Sequence, residues 1–372
     1  MQLTLLIPEL IWPEPDDRDT LDALDCPALC ALLARSRRRR CAPQSFEASL
    51  SDAFVPPEGD QPAPYAALRR LGEAPPPADD ASATWLACDP VHLRFHQEHL
   101  ILAGMGHFGI TLGEAQTLVA TLNAELAEHG RFHAASAERW YLQLSEAALL
   151  DGFSAAPLST VSGRRIEGLL AESTPARGMR RLFNDIQMTL HAHPLNRQRE
   201  NDGQMTINSL WLWGGGTLPT PQDEAQAKPF DALWSDDPLA RGLARQAAIT
   251  SAPPPADAAA LLAEAPPGTR QLLVLDPLLG PVQYENSADY QQAMRHLEQC
   301  WFAPLKRALS TGKISRLRID APTAYATLGW ECRRSDLWKF WRRPRSLAQL
   351  AHELANESND SNESNNSPLE KT

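Results

Sequence analysis

Three successive segments toward the end of the chain constrain its fold most: RQLLVLDP at 270–277, SADYQQAMRHLEQCWFAPLKRAL at 287–309 and ISRLRIDAP at 314–322. The outer two are apolar runs of strand length, and the middle one carries an apolar stripe over the length of a long helix. Strand, helix and strand in that order imply a parallel crossover, and hence an α/β core. The opening MQLTLLIPELIW fits that core as a buried first strand. It lacks a basic leader and contains Pro8 and Glu9, unlike a signal peptide.

A chain of 372 residues, 43% of them hydrophobic, has room for two or three domains with real cores. Its formal net charge of −11 argues against a general nucleic-acid binder, because neutralising phosphates needs a basic surface. The run Arg35–Arg40, interrupted only by Ser36, is the local exception. It fits either the cationic end of a helix carrying Leu29, Leu32 and Leu33 or a patch for an anionic partner. No stretch approaches the roughly 20 apolar residues of a membrane span. Six scattered cysteines favour reduced thiols in the cytoplasm. Cys26 and Cys30 have helical spacing, but a zinc site needs two more ligands nearby, so packing is expected.

Proline-rich stretches at 55–64, 74–80, 217–222 and 252–260 mark loops or linkers, and the polar run after Asn356 predicts a disordered tail from about residue 357. VHLRFHQEHLILAG (91–104) alternates in polarity and predicts a hairpin. Its His92, His96 and His99 lie where they either clasp a metal or form a solvated face, and no carboxylate or cysteine completes a set. Thr111 and Glu114 form a capping-box pattern ahead of Ala115, Leu118, Val119 and Leu122. Thr174 and Pro175 predict a second helix start, with Met179, Leu182, Phe183, Ile186 and Leu190 as its stripe and an end near Pro194. In TINSLWLWGGG (206–216), Trp211 and Trp213 point to one face of a strand, Leu210 and Leu212 to the other. Both faces are apolar, which places the strand in a sheet interior. Gly214, Gly215 and Gly216 then serve a sharp turn or a close ligand. Zincin, Walker, dinucleotide and Gly-x-Ser-x-Gly motifs are all missing.

The segment HAHPLNRQRENDGQMTINSLWLWGGG resembles archaeal-type cofactor-independent phosphoglycerate mutases at His193, Pro194, Asn196, Arg199, Gly203, Asn208, Trp211, Trp213, Gly214 and Gly216. DPLARGLARQAAI (237–249) is similar to the family's Leu-x-x-Gly-x-x-x-x-x-Gly helix, with Ala248 in place of the second glycine. From LLIPELIW through DPVHL to NSLWLWGGG, the chain resembles the proteobacterial RpfE-type regulatory proteins more closely still. The resemblance implies an α/β, alkaline phosphatase-like fold: a mostly parallel sheet flanked by helices, interrupted by an inserted α+β lid domain. The boundaries expected from it are a discontinuous core at 1–84 and 217–345, a lid at 85–216 and a C-terminal segment from 346.

Mutases of this kind use two divalent metals, Mn or Zn, held by Asp and His, and a serine that carries the phosphoryl group. Here the first strand ends in Pro8 and Glu9 where the family has Asp-Gly. Ser51-Asp52 stands without the glycine that precedes the family's nucleophile, Asp320 is followed by Ala321 rather than His, and Asp276 and His296 are isolated. The expectation is a degenerate scaffold without metal or other cofactor, acting as a regulatory or binding protein. Its expected partners are a phosphorylated or carboxylated small molecule and a protein. Asn196, Arg197, Arg199 and Asn208, beside Gly214–Gly216, are the candidate ligand-binding residues, since arginine suits oxyanions. Loop stabilisation is the competing role. The alternative is an active metal-dependent mutase or phosphatase built on Glu9, Ser51, Asp52 and Asp320.

Overall fold

The computed structural model describes residues 1–55, 63–73, 82–96, 99–103, 109–163, 177–220 and 228–365, with the backbone alone at 95–96, 99–101 and 358–365. The strands are β1 (Gln2–Leu6), β2 (Arg37–Cys41), β3 (Thr84–His96), β4 (His99–Ala103), β5 (Gly130–Ala134) and β6 (Trp140–Leu144). They continue with β7 (Ser209–Thr217), β8 (Ala232–Trp234), β9 (Thr250–Ala252), β10 (Arg270–Val274), β11 (Arg316–Pro322) and β12 (Thr327–Arg333). The longer helices are α1 (Pro27–Arg35), α2 (Phe46–Phe54), α3 (Tyr65–Glu73), α4 (Leu112–Glu125), α5 (Arg177–Ala192) and α6 (Pro194–Asn201). After them come α7 (Pro238–Gln246), α8 (Ala258–Glu264), α9 (Ser287–Leu297), α10 (Ala303–Thr311) and α11 (Leu347–Asn365).

The chain divides into two compact units: Met1–Leu50, Lys228–Asp236 and Ile249–Thr372 form the first, Ser51–Ala227 and Asp237–Ala248 the second. Residues 51–84 and the 237–248 helix fall in the second unit.

The first unit is α/β. Its sheet runs β2-β12-β11-β1-β10-β8-β9. The pairs β11-β1, β1-β10, β10-β8 and β8-β9 are parallel, and only β12 and its pairings run antiparallel. β1 is the expected buried first strand, inserted between β10 and β11, so the crossover spans one intervening strand. Leu3, Leu5, Leu273, Leu317 and Ile319 form one core with α1, α9, α10 and α11. The helix expected over 287–309 is continuous but passes through a π-turn, Glu298–Phe302, immediately before Pro304, whose missing N–H breaks the regular ladder. The turn presents Glu298 to the start of α1, where its carboxylate accepts from Ala28 N (2.7 Å) and Leu29 N (3.1 Å). This satisfies orphan helix donors and complements the macrodipole.

Only the first residue of Arg35–Arg40 belongs to the helix end. α1 stops at Arg35, Ser36 turns extended (ψ 159°), and Arg37–Cys41 pairs with β12 as an edge strand. α11 runs to Asn365, and 366–372 lie outside the described residues. Most of the 55–64 and 74–80 loops, the start of the 174–175 helix and residues 221–222 also lie outside them.

The second unit is an antiparallel sheet, β4-β3-β6-β5, with β7 paired to β3. The capping box of Thr111 and Glu114 opens α4, and the expected stripe of α5 is buried at Met179, Leu182, Ile186 and Leu190. The tryptophan strand β7 is an edge strand in its hydrogen bonding, unlike the expected interior position, yet both faces are covered. Leu210 and Leu212 join the core with α4 and α5, while Trp211 and Trp213 join Trp85, Tyr141 and α3. Its glycines accommodate α3: a Cβ at Gly214 (φ +64°) would meet Tyr65 Cβ at 2.9 Å, and one at Gly216 would meet Pro64 Cβ at 2.6 Å. A second close approach joins α3 to α7, where a Cβ on Gly72 would lie 1.7 Å from Pro238 O and one on Gly242 1.8 Å from Leu68 O.

Candidate functional site

In an open α/β sheet, ligands gather outside the carboxyl ends of the parallel strands. In the first unit that edge carries Glu9 beyond β1, Asp236 beyond β8, Asp276 beyond β10 and Asp320 within β11. Backbone bonds tie the ends together: Ile7 N donates to Asp320 O (2.9 Å), Leu275 N to Leu6 O (2.9 Å) and Glu9 N to Pro322 O (2.8 Å). Glu9 holds φ +56°, the left-handed region that an L side chain occupies at a cost.

Asp320 is the most constrained of these groups. Arg318, two residues earlier on the same face, meets both of its oxygens, at 2.9 Å (Oδ1) and 2.7 Å (Oδ2). Gly329 is the register partner of Asp320 and Arg39 that of Gly329. A Cβ at Gly329 would come within 3.0 Å of Asp320 Oδ1, so glycine lets the carboxylate lean across β12 toward Arg39. Burial pushes the Asp320 carboxyl above its ordinary value, against the pull of Arg318 and Arg39. The Asp276 carboxyl is also raised, by desolvation from the surrounding protein first and the charge of Asp236 after it.

Ser51 and Asp52 occupy the last turn of α2, with Ser51 O accepting from Val55 N (2.9 Å). The start of that helix, where free N–H groups favour an oxyanion, is held by Ser45, whose Oγ accepts from Ala48 N (3.0 Å). The sequence reading passed over Ser45. Its signal was an N-cap residue directly ahead of the apolar Phe46–Phe54 stripe.

Among the described residues no three His, Cys, Asp or Glu side chains are grouped to hold an ion, and Asp320 is engaged by the Arg318 guanidinium. His92 Nδ1 lies 2.8 Å from Thr206 O, while the side chains of His96 and His99 are outside the described residues. The Cys26 thiol is pushed up to about 12, by burial and then by Glu298, which suits packing rather than metal ligation.

The other predicted cluster, in the second unit, is bound up in the fold. Asn196 Nδ2 donates to Leu190 O (2.8 Å) and Ile207 O (2.7 Å), and its Oδ1 accepts from Ile207 N (2.9 Å). Asn208 exchanges two bonds of 2.8 Å with the backbone of Leu93. Arg199, 1% exposed, pairs with the capping-box Glu114 (2.7 Å) and donates to Met205 O (2.9 Å). Arg197 is exposed and donates to Ala192 O (3.1 Å). These side chains brace the chain between α6 and β7, while Gly214 and Gly216 admit the start of α3 and Gly215 faces Leu150 and Leu86.

A second buried ion pair of this unit lies apart from Arg199. Arg69 and Asp89, the latter fully buried, form a two-point pair of 2.7 and 2.8 Å. Asp89 also accepts from Trp213 Nε1 (2.9 Å) and Trp140 N (3.2 Å). The Arg69 guanidinium stacks 4.7 Å over Tyr141 and 4.9 Å over Trp213. Trp213 therefore has both a cation to stack on and a carboxylate to bind.

No family model matches the chain. A 2,3-bisphosphoglycerate-independent phosphoglycerate mutase from Methanosarcina mazei is 28% identical to it over 209 residues, 55% of this chain and 51% of that protein. A second such mutase, from Methanothermobacter thermautotrophicus, is 28% identical over 210 residues, 55% of this chain and 48% of that protein. The chain thus spans about half the length of these curated relatives. Among solved structures, the PH0037 protein from Pyrococcus horikoshii superposes with a TM-score of 0.54 over 96% of both chains, at 14% identity. No helix among the described residues is long and apolar enough to cross a membrane. The chain is similar to phosphoglycerate mutases at low identity over half its length, and its mostly parallel sheet flanked by helices is consistent with a phosphoglycerate mutase-like fold.

Proposed function

We propose that the chain is an RpfE-type, non-catalytic relative of the cofactor-independent phosphoglycerate mutases, an alkaline phosphatase-like core with a lid inserted after Leu50, and that it serves regulation rather than turnover. The observation that carries this reading is Arg318 closing on both oxygens of Asp320, where the resemblance expects an Asp-His pair to hold a metal. Two ions held close together repel one another, and clustered carboxylates and imidazoles must offset that repulsion. A guanidinium within 3 Å of a would-be ligand acts in the opposite sense.

The test is a coupled phosphoglycerate mutase assay with manganese on the full chain. Rates at background, unchanged in Asp320→Ala, are expected. Turnover abolished by Asp320→Ala would establish the active-enzyme alternative instead.

A further inference from the structure

The first unit contains a cavity of about 710 Å³ between the end of α1, the edge strand β2 and the segment 339–345 leading into α11. Six cations line it, Arg37, Arg38, Lys339, Arg342, Arg343 and Arg345, against one carboxylate, Glu353. Glu353 is shared: one oxygen accepts from Arg38 (2.9 Å) and the other from Arg345. Arg38 reaches Glu357 as well (3.3 Å), and Lys339 pairs with Asp336 (2.5 Å). Arg37, Arg342 and Arg343 have no carboxylate partner among the described residues. Arg342 is fixed in place by donating to the carbonyl of Ser36 (3.1 Å). The remaining wall is apolar and includes Leu33, Trp330, Leu347 and Leu350.

In a chain of net charge −11, three uncompensated guanidiniums around one concavity form a local positive field with fixed donors. The volume suits a small ligand rather than a polymer. Guanidinium forks match phosphate oxygens two at a time, and the apolar wall suits an uncharged body. We propose that this cavity binds a small molecule bearing a diphosphate group. The shared Glu353 carboxylate ties Arg38 and Arg345 together at one wall of the cavity. The site is separate from the carboxyl edge of the sheet, and the proposal is independent of whether that edge is catalytic.

Isothermal titration of the full chain at low salt, with inorganic phosphate, pyrophosphate, ADP and GDP, reads the site directly. One saturable site is expected, with pyrophosphate at least tenfold tighter than phosphate. A further tenfold gain for ADP or GDP identifies a nucleotide, whereas equal affinity for pyrophosphate identifies the free diphosphate. Arg342→Ala with Arg343→Ala should weaken binding at least tenfold while leaving the circular dichroism spectrum unchanged. Arg343→Ala alone, at an exposed position, should weaken it severalfold and guards against a folding failure of the double variant. Absence of saturable binding by all four probes, unchanged affinity in the variants, or preference for a single-stranded oligonucleotide over every small probe would overturn the proposal.

Discussion

Replacing Arg69 with Met should destabilise the second unit by about 3–5 kcal/mol, the usual cost of removing one partner from a buried ion pair. The structure argues for the upper part of that range. Asp89 is 0% exposed, so its charge has no water to turn to, and Trp213 Nε1 and Trp140 N supply only two neutral donors in place of the two guanidinium bonds. Arg69→Met also removes the cation stacked on Tyr141 and Trp213. Asp89→Leu should cost a similar amount, because it orphans Arg69 and the Trp213 indole. The double variant removes both charges together, and should be at least about 2 kcal/mol less destabilised than the sum of the singles. Urea denaturation gives the totals. Hydrogen exchange in peptides covering β3 and β7 assigns them to this unit, which matters in a two-unit chain. Strict additivity, or a loss under about 1 kcal/mol for Arg69→Met, would refute the reasoning.

Gly242→Ala should cost at least about 3 kcal/mol, because its Cβ would sit 1.8 Å from Leu68 O and force two helix backbones apart; a denaturation midpoint near that of the parent would contradict this. Ala248 holds φ +51° where the resembling helix has glycine, so Ala248→Gly should stabilise by up to about 1 kcal/mol, and a lowered midpoint would count against it. Burial, and then Arg197, hold the His193 imidazole below its ordinary value. The unfolded state therefore takes up the proton first. The contribution is fully present above the unfolded pKa of about 6.5 and is lost as pH falls through the lower folded value. Stability measured from pH 7 to 5 should fall, and His193→Asn should flatten that slope. Glu298→Ala should lower stability by about 1–2 kcal/mol through loss of the α1 cap, and unchanged urea unfolding would refute the capping role.

Periodicity carried what is local in this fold. The Thr111–Glu114 capping box, the α5 stripe and the two-faced tryptophan strand were legible because each depends on residues within one turn or one strand. The Arg35–Arg40 run read two ways because only Arg35 belongs to the helix end, while the following arginines pair with β12, far away in sequence. The ligand-site reading of Asn196, Arg199 and Asn208 met the same difficulty. Polar residues beside glycines look alike whether they await a ligand or close a loop, and their bonds to Leu93, Ile207 and Glu114 follow from no local pattern. The α3–α7 crossing was half visible, since Gly242 belongs to the resembling motif but its counterpart Gly72 follows from no local pattern. The basic cavity was half visible too: Arg37 and Arg38 drew notice, while Lys339–Arg345 did not.

Metal stoichiometry tests the degenerate reading of the carboxyl edge most directly. Elemental analysis after reconstitution with excess manganese or zinc, followed by desalting, should find far less than one ion per chain, equally for the parent and for Asp320→Ala. Two ions per chain, lost in Asp320→Ala, would show that Arg318 yields its carboxylate and that the edge is a working metal centre.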